Sequence, residues 1–143
     1  MDTLTLDTAR KIVAAGFAKS AEKGFNPLAI VVLDMRGAMK AVEAQDGTSL
    51  TRVEIAHGKA YGSLALGMGS RAIFKRVQEQ PYFIDAVNAL AHGKLVPLPG
   101  GALIRNAAGA VIGAVGISGD TSDNDEIALL AGVEAVGLKA DIG

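Results

Sequence analysis

Val96-Pro-Leu-Pro-Gly-Gly101 leads into Ala102-Leu-Ile-Arg105, a turn at Asn106–Gly109, and then Val111-Ile-Gly-Ala-Val-Gly-Ile-Ser-Gly-Asp120. These residues set the architecture. They form a glycine-marked bend, a strand, a hairpin turn and a second strand that runs into an acid-rich helix start at Thr121–Glu126. The double glycine after Leu98-Pro99 supplies backbone that tolerates positive φ and lets a ligand or another segment come close. In the second strand Val111, Gly113, Val115 and Ile117 alternate with Ile112, Ala114, Gly116 and Ser118. The latter face is small enough for a helix, a partner subunit or a flat ligand to approach.

Toward the N-terminus, Leu28–Leu33 is apolar on both faces, which predicts a central strand. Asp34-Met-Arg-Gly37 turns the chain, and Ala38–Ala44 returns as the second arm of a hairpin. Strands joined by short turns pair antiparallel, so hairpins are expected over 28–44 and 102–118. Thr5 or Asp7 can cap a first helix that carries Leu6, Ala9, Ile12 and Phe17 on one stripe and stops at Gly24. Thr51-x-x-Glu54 has the form of a capping box for a second helix reaching Leu66, although Thr48 or Ser49 could cap instead. Two shorter helices are expected over Ser70–Val77 and Pro81–Ala91, with Pro81 near the first helical position. Ser122-x-x-Asp125 is another capping-box pattern, opening a terminal helix that extends to Leu138. Helices that precede, separate and follow the strands must cover the sheet. The expectation is one α+β domain over 1–143, with a mainly antiparallel sheet and no linker or internal repeat.

The 143 residues suffice to bury a core without disulfides or metals. There is no cysteine, which excludes thiol catalysis and zinc–thiolate or iron–sulfur sites and fits a reducing compartment. Net charge is −1 with acids and bases interspersed, so no nucleic-acid or anionic-membrane partner is indicated. Met1-Asp-Thr-Leu-Thr-Leu6 has no basic or apolar leader pattern, and no apolar run reaches membrane-spanning length, so a cytoplasmic location is expected. Half the residues are hydrophobic but only 4% are aromatic, so the apolar surface is small-sided. A homo-oligomer, at least a dimer, is expected from that balance.

Gly67-Met-Gly-Ser-Arg-Ala72 fits the dinucleotide pattern G-x-G-x-x-A, but a helix precedes it and Asp85 comes too early for the ribose acid. It is read as a helix–helix connection. Asp120, Asp123, Asp125 and Glu126 lack the spacing of a calcium loop and are read as helix-start acids. His57 and His92, the two histidines, are not at paired metal-ligand spacing. His57 shares a helical face with Tyr61. Lys59 has no acid at i−4 or i+4. It is a solvated lysine, a cation for a ligand carboxylate or an amine activated by burial. The Gly100 and Gly101 amides either turn the chain or help bind an anion, which Lys59 would complete.

The ordered set Leu4-Thr-Leu6, Ala29-Ile-Val-Val-Leu-Asp-Met-Arg-Gly37, Asp46-Gly47, Ala56-His-Gly-Lys-Ala60, Leu98-Pro-Gly-Gly101, Val111–Gly119 and Asp125-Glu126 resembles the GlcG/HbpS family, which includes the C-terminal domain of PduO-type proteins. The resemblance spans essentially the whole chain. It implies a profilin-like antiparallel sheet of about five strands with helices on both faces, often in dimers built into larger assemblies. Some members of the family bind haem; others sit beside genes of small-acid or diol catabolism. This chain departs from the haem-binding pattern in having no histidine over residues 5–23, and in carrying Glu43-Ala-Gln45 where an arginine is expected ahead of Asp46-Gly47.

Two functions follow. In the first, haem or another flat, acidic tetrapyrrole binds with Lys59 or Arg105 on its carboxylates, Gly100 and Gly101 alongside, and His57 or His92 as axial ligand. In the second, a cytoplasmic enzyme of small organic-acid catabolism holds its substrate on Lys59 and the Gly100 and Gly101 amides, while Asp125 or Asp34 moves a proton.

Overall fold

The computed structural model describes residues 2–143. Five α-helices surround a five-stranded sheet in which each pairing is antiparallel. In chain order the elements are α1 (Leu6–Lys23), β1 (Ala29–Asp34), β2 (Met39–Ala44), α2 (Arg52–Leu66), α3 (Ser70–Glu79), α4 (Pro81–Leu90), β3 (Gly101–Arg105), β4 (Val111–Ser118), α5 (Ser122–Glu134) and β5 (Lys139–Asp141). Across the sheet the order is β2-β1-β4-β3-β5.

The expected α+β architecture and both hairpins are present. Every side chain from Leu28 to Leu33 is fully buried, as a strand apolar on both faces requires. Ile30 and Val32 join Val115 and Ile117 against Ile12 and Val13 of α1 and Leu129 and Val133 of α5. On the other face Val31, Leu33 and Ala114 meet Ala56 and Ala60 of α2. A bulge breaks the β3–β4 register between Ile104↔Gly113 and Arg105↔Val111. It turns Ile112 into the α1–α5 core and away from the face it would take by simple alternation.

The small face of β4 is occupied by a helix. A Cβ on Gly116 would overlap the Ala56 carbonyl oxygen and lie 2.9 Å from the Ala60 nitrogen. Only a residue without a side chain lets α2 pack this closely.

The start of α1 agrees with the capping expectation, and those of α2 and α5 differ in detail. Thr5 caps α1, accepting from the Thr8 N–H. Thr51 precedes α2 without a side-chain cap bond. Thr121, not Ser122, caps α5, accepting from the Asn124 N–H. The terminal helix ends at Glu134, short of Leu138; Gly137 (φ 75°) turns the chain into β5, which pairs with β3. After β5 the Ile142 carbonyl accepts from the Arg71 and Ala72 N–H groups and satisfies the start of α3. The Gly67–Ala72 segment joins α2 to α3, so no strand precedes its glycines. Among the described residues no helix is long and apolar enough to cross a membrane, and no three His, Cys, Asp or Glu side chains cluster as a metal site.

Candidate functional site

The residues singled out by the sequence separate into a closed cluster, an open cavity and outlying positions. The closed cluster lies where α2 passes the ends of β3 and β4. Lys59 is 1% exposed, and its Nζ donates to the Ile117 carbonyl at 2.9 Å and to Asp125 Oδ2 at 3.0 Å. Asp125 Oδ1 accepts from the Asp120 N–H at 3.0 Å. Gly100 (φ 108°) lies against the pair: a Cβ there would stand 2.9 Å from Lys59 Nζ and 3.1 Å from Asp125 Cβ. The Gly101 N–H donates to Ser70 Oγ at 2.7 Å, and that hydroxyl donates back to the Gly101 carbonyl at 3.0 Å.

Lys59, Gly100, Gly101 and Asp125 are therefore neighbours. The lysine does not extend freely toward an anion, as its lack of a helical partner suggested. Its partner comes from α5, and both the amine and the Gly101 amide already have protein acceptors. Burial pushes the Lys59 pKa down and the Asp125 pKa up, and their mutual attraction opposes both displacements. This arrangement ties α2 to α5 around the end of β4.

Arg105 and Asp34 lie elsewhere. Arg105 ends β3 at the opposite end from Gly101, with Nε 2.8 Å from Asp141 Oδ2 and Nη1 donating to the Gly109 carbonyl. Asp34 ends β1, paired in register with Gly113, and accepts from Arg36 Nε and Nη2. The Arg36 hydrogen bonds hold its carboxyl below the ordinary aspartate range. Neither reaches Lys59, so Lys59, Asp34 and Arg105 do not form one constellation.

The open cavity, about 680 Å³, lies along α2 between β2 and the 93–96 segment. Met39, Val53, Ile55 and Val96 give it apolar walls, and His57, Glu54 and Lys94 bring polar groups to it. Met39 points this way because it pairs in register with Leu33, whose side chain faces α2. The His57 imidazole stacks on Tyr61 with centroids 5.9 Å apart and planes 25° from parallel. Burial, with the Lys94 charge second, lowers the His57 pKa, so its neutral form dominates at pH 7. Lys94 Nζ stands 5.7 Å from the centroid of the Tyr61 ring.

His92 is exposed just after α4, at φ 57°, and is not among the residues that line this cavity. Lys94 and Met39 belong to the cavity but carry no motif of their own in the sequence, and Val96 opens the stretch before Gly100 and Gly101 without standing out as a site residue. The one local signal for Lys94 is Gly93, at positive φ in the loop that brings Lys94 back over α2.

The family model for the haem-degrading protein HbpS-like family matches residues 4–134. An uncharacterized 15.0 kDa protein of the dhaT–dhaS intergenic region of Citrobacter freundii is 31% identical over 125 residues, 87% of this chain and 86% of that protein. The crystal structure of a PduOC–heme complex superposes with a TM-score of 0.86 at 20% identity, covering 97% of this chain and 99% of that one. ORFY of Klebsiella pneumoniae gives 0.85 at 24% identity, over 96% of this chain and 92% of that one. HbpS itself gives 0.80 at 24% identity, over 94% and 90%. At these identities the structural likeness establishes the fold, and the family model and the sequence match show the family: the chain belongs to the HbpS-like family.

Proposed function

We propose that this protein binds a flat tetrapyrrole, haem in the first instance, in the cavity along α2. The single observation that carries the reading is the half-buried, stacked His57, whose neutral imidazole opens onto an apolar space of about 680 Å³. Membership of the HbpS-like family and the likeness to the PduOC–heme complex support it.

The donor set fits the group. A neutral imidazole is a good ligand for haem iron. Val53, Ile55 and Val96 offer apolar contact to the macrocycle, and Met39 adds a polarizable thioether. When bound, haem supplies a redox-active iron able to take a small molecule. The protein's own residues hold and orient: Tyr61 stacks on the His57 ring and braces its plane, and Val53, Ile55 and Val96 line one side. Of the two histidines, His57 is the one that lines this cavity, so it would hold the haem iron in this reading.

Titration of the purified protein with hemin tests this directly. A saturable Soret shift lost in His57→Ala and kept in His92→Ala is the expected result. No saturable shift, or one that survives His57→Ala, refutes it.

The same reading includes assembly of at least two copies. Met39, Leu50, Tyr82 and Leu90 are 61%, 92%, 68% and 82% exposed, high for side chains of this size.

A further inference from the structure

The cavity along α2 contains one cation, Lys94, whose anchorage is unlike that of an ordinary surface lysine. Its loop is clamped on both sides. Asn88 Oδ1 accepts from the Leu95 N–H at 2.9 Å, and Asn88 Nδ2 donates to the Leu95 carbonyl at 3.1 Å. The Val96 N–H donates to the Gly58 carbonyl at 3.2 Å. A Cβ on Gly58 would stand 2.8 Å from the Lys94 carbonyl oxygen, so this loop lies directly on α2. The Lys94 side chain itself is exposed, rests over the Tyr61 ring and, among the described residues, has no carboxylate within ion-pair distance.

A fixed base, an aromatic rest and a charge without a counter-ion make a prepared anion anchor. The cavity is also polarised. Glu54 lies three residues before His57 on α2 and repels an anion, whereas Lys94 comes from the facing segment.

We propose that the occupant of this cavity carries a carboxylate, and that Lys94 is the residue that holds it. The proposal rests on the tetrapyrrole reading of the cavity and adds a chemical requirement: a flat apolar body with an acidic edge directed to the Lys94 side. It transfers the role expected of Lys59 or Arg105, whose charges are already paired with Asp125 and Asp141, to a residue that opens onto the cavity.

The test compares hemin with hemin dimethyl ester, which keeps the macrocycle and removes the carboxylates. Each is titrated by Soret absorbance into the unaltered protein, Lys94→Gln and Lys94→Arg. The unaltered protein is expected to prefer the free acid by about tenfold, the scale of one charge-assisted contact. Lys94→Gln erases that preference and Lys94→Arg keeps it. Equal affinity for acid and ester in the unaltered protein, or a preference untouched by Lys94→Gln, overturns the proposal. A second probe pair separates the two readings: 2-naphthoate and 2-naphthamide, followed by the NMR shift of the His57 ring. If hemin fails to bind, the tetrapyrrole reading falls. A naphthoate-selective, Lys94-dependent His57 shift then upholds the carboxylate anchor, and equal or absent shifts from both naphthalenes overturn it.

Discussion

The Lys59 ammonium stands 3.0 Å from Asp125 Oδ2 with side-chain exposures of 2% and 1%, and so joins helices packed on opposite faces of the sheet. The pair reaches around the end of β4, where the Ile117 carbonyl takes a second hydrogen bond from the same amine. Removing one member leaves the other charge buried and unpaired. Lys59→Met or Asp125→Leu alone is expected to cost about 3–5 kcal/mol. The double substitution should cost clearly less than the sum, because no lone charge remains. Urea unfolding of the cycle measures this. Additive losses would show that the charges are not coupled.

Gly116 supplies a second prediction. Its missing side chain sets the spacing between α2 and β4, since any Cβ would overlap the Ala56 carbonyl. Gly116→Ala must displace the helix and is expected to destabilise by about 3 kcal/mol or more, at the upper end of overpacking losses. Gly67→Asn is the contrast. Gly67 ends α2 at φ 67°, a Cβ there would meet nothing within 4 Å, and Asn tolerates that conformation. Thermal unfolding should show a small change for Gly67→Asn and a large one for Gly116→Ala.

Gly116 is also a measure of what the sequence could reveal. The unbroken apolar run Leu28–Leu33 and the glycine-spaced strand at 111–118 each carry a local pattern, and both are legible as strands, the first as a central one. Strand β5 is not, because three residues, Lys139–Asp141, are too few for alternation to register. Lys59 and Asp125 stand out separately in the sequence, but a pairing across 66 residues leaves no trace in helical spacing. Lys94 is hidden for a similar reason: its relation to His57 and Tyr61 depends on a loop folding back onto α2.

The His57 environment predicts a pH dependence. Burial first, then the Lys94 charge, lowers the pKa below the ordinary histidine value of 6.5. The unfolded chain therefore binds the proton more readily than the folded one. The stabilisation from neutral His57 is complete above 6.5 and is lost as pH falls through the lower, folded pKa. Hemin affinity should follow the same course, because the neutral imidazole is the ligating form. Lys94→Gln removes one of the two lowering causes and should move the His57 titration upward. Two-dimensional NMR titration of the imidazole protons checks the direction; a midpoint above 6.5 in the unaltered protein would contradict it.

Assembly is the remaining prediction. Leu50, 92% exposed, precedes α2, and Met39 and Val42 on the edge strand β2 are 61% and 38% exposed. Val42 pairs in register with Val31, which faces α2, so Met39 and Val42 share the α2 side of β2. An edge strand with apolar side chains and unpaired backbone groups is an invitation to a second chain. A dimer or larger species is therefore expected at micromolar concentration, and light scattering measures it. Replacing Val42 and Leu50 with Lys should shift the distribution toward monomer if this edge carries the contact, while unfolding in urea should change little. A monomer for the unaltered protein would refute assembly altogether, and an unchanged oligomer in the double variant would place the contact on another face, where exposed Tyr82 and Leu90 of α4 are the next substitutions to make.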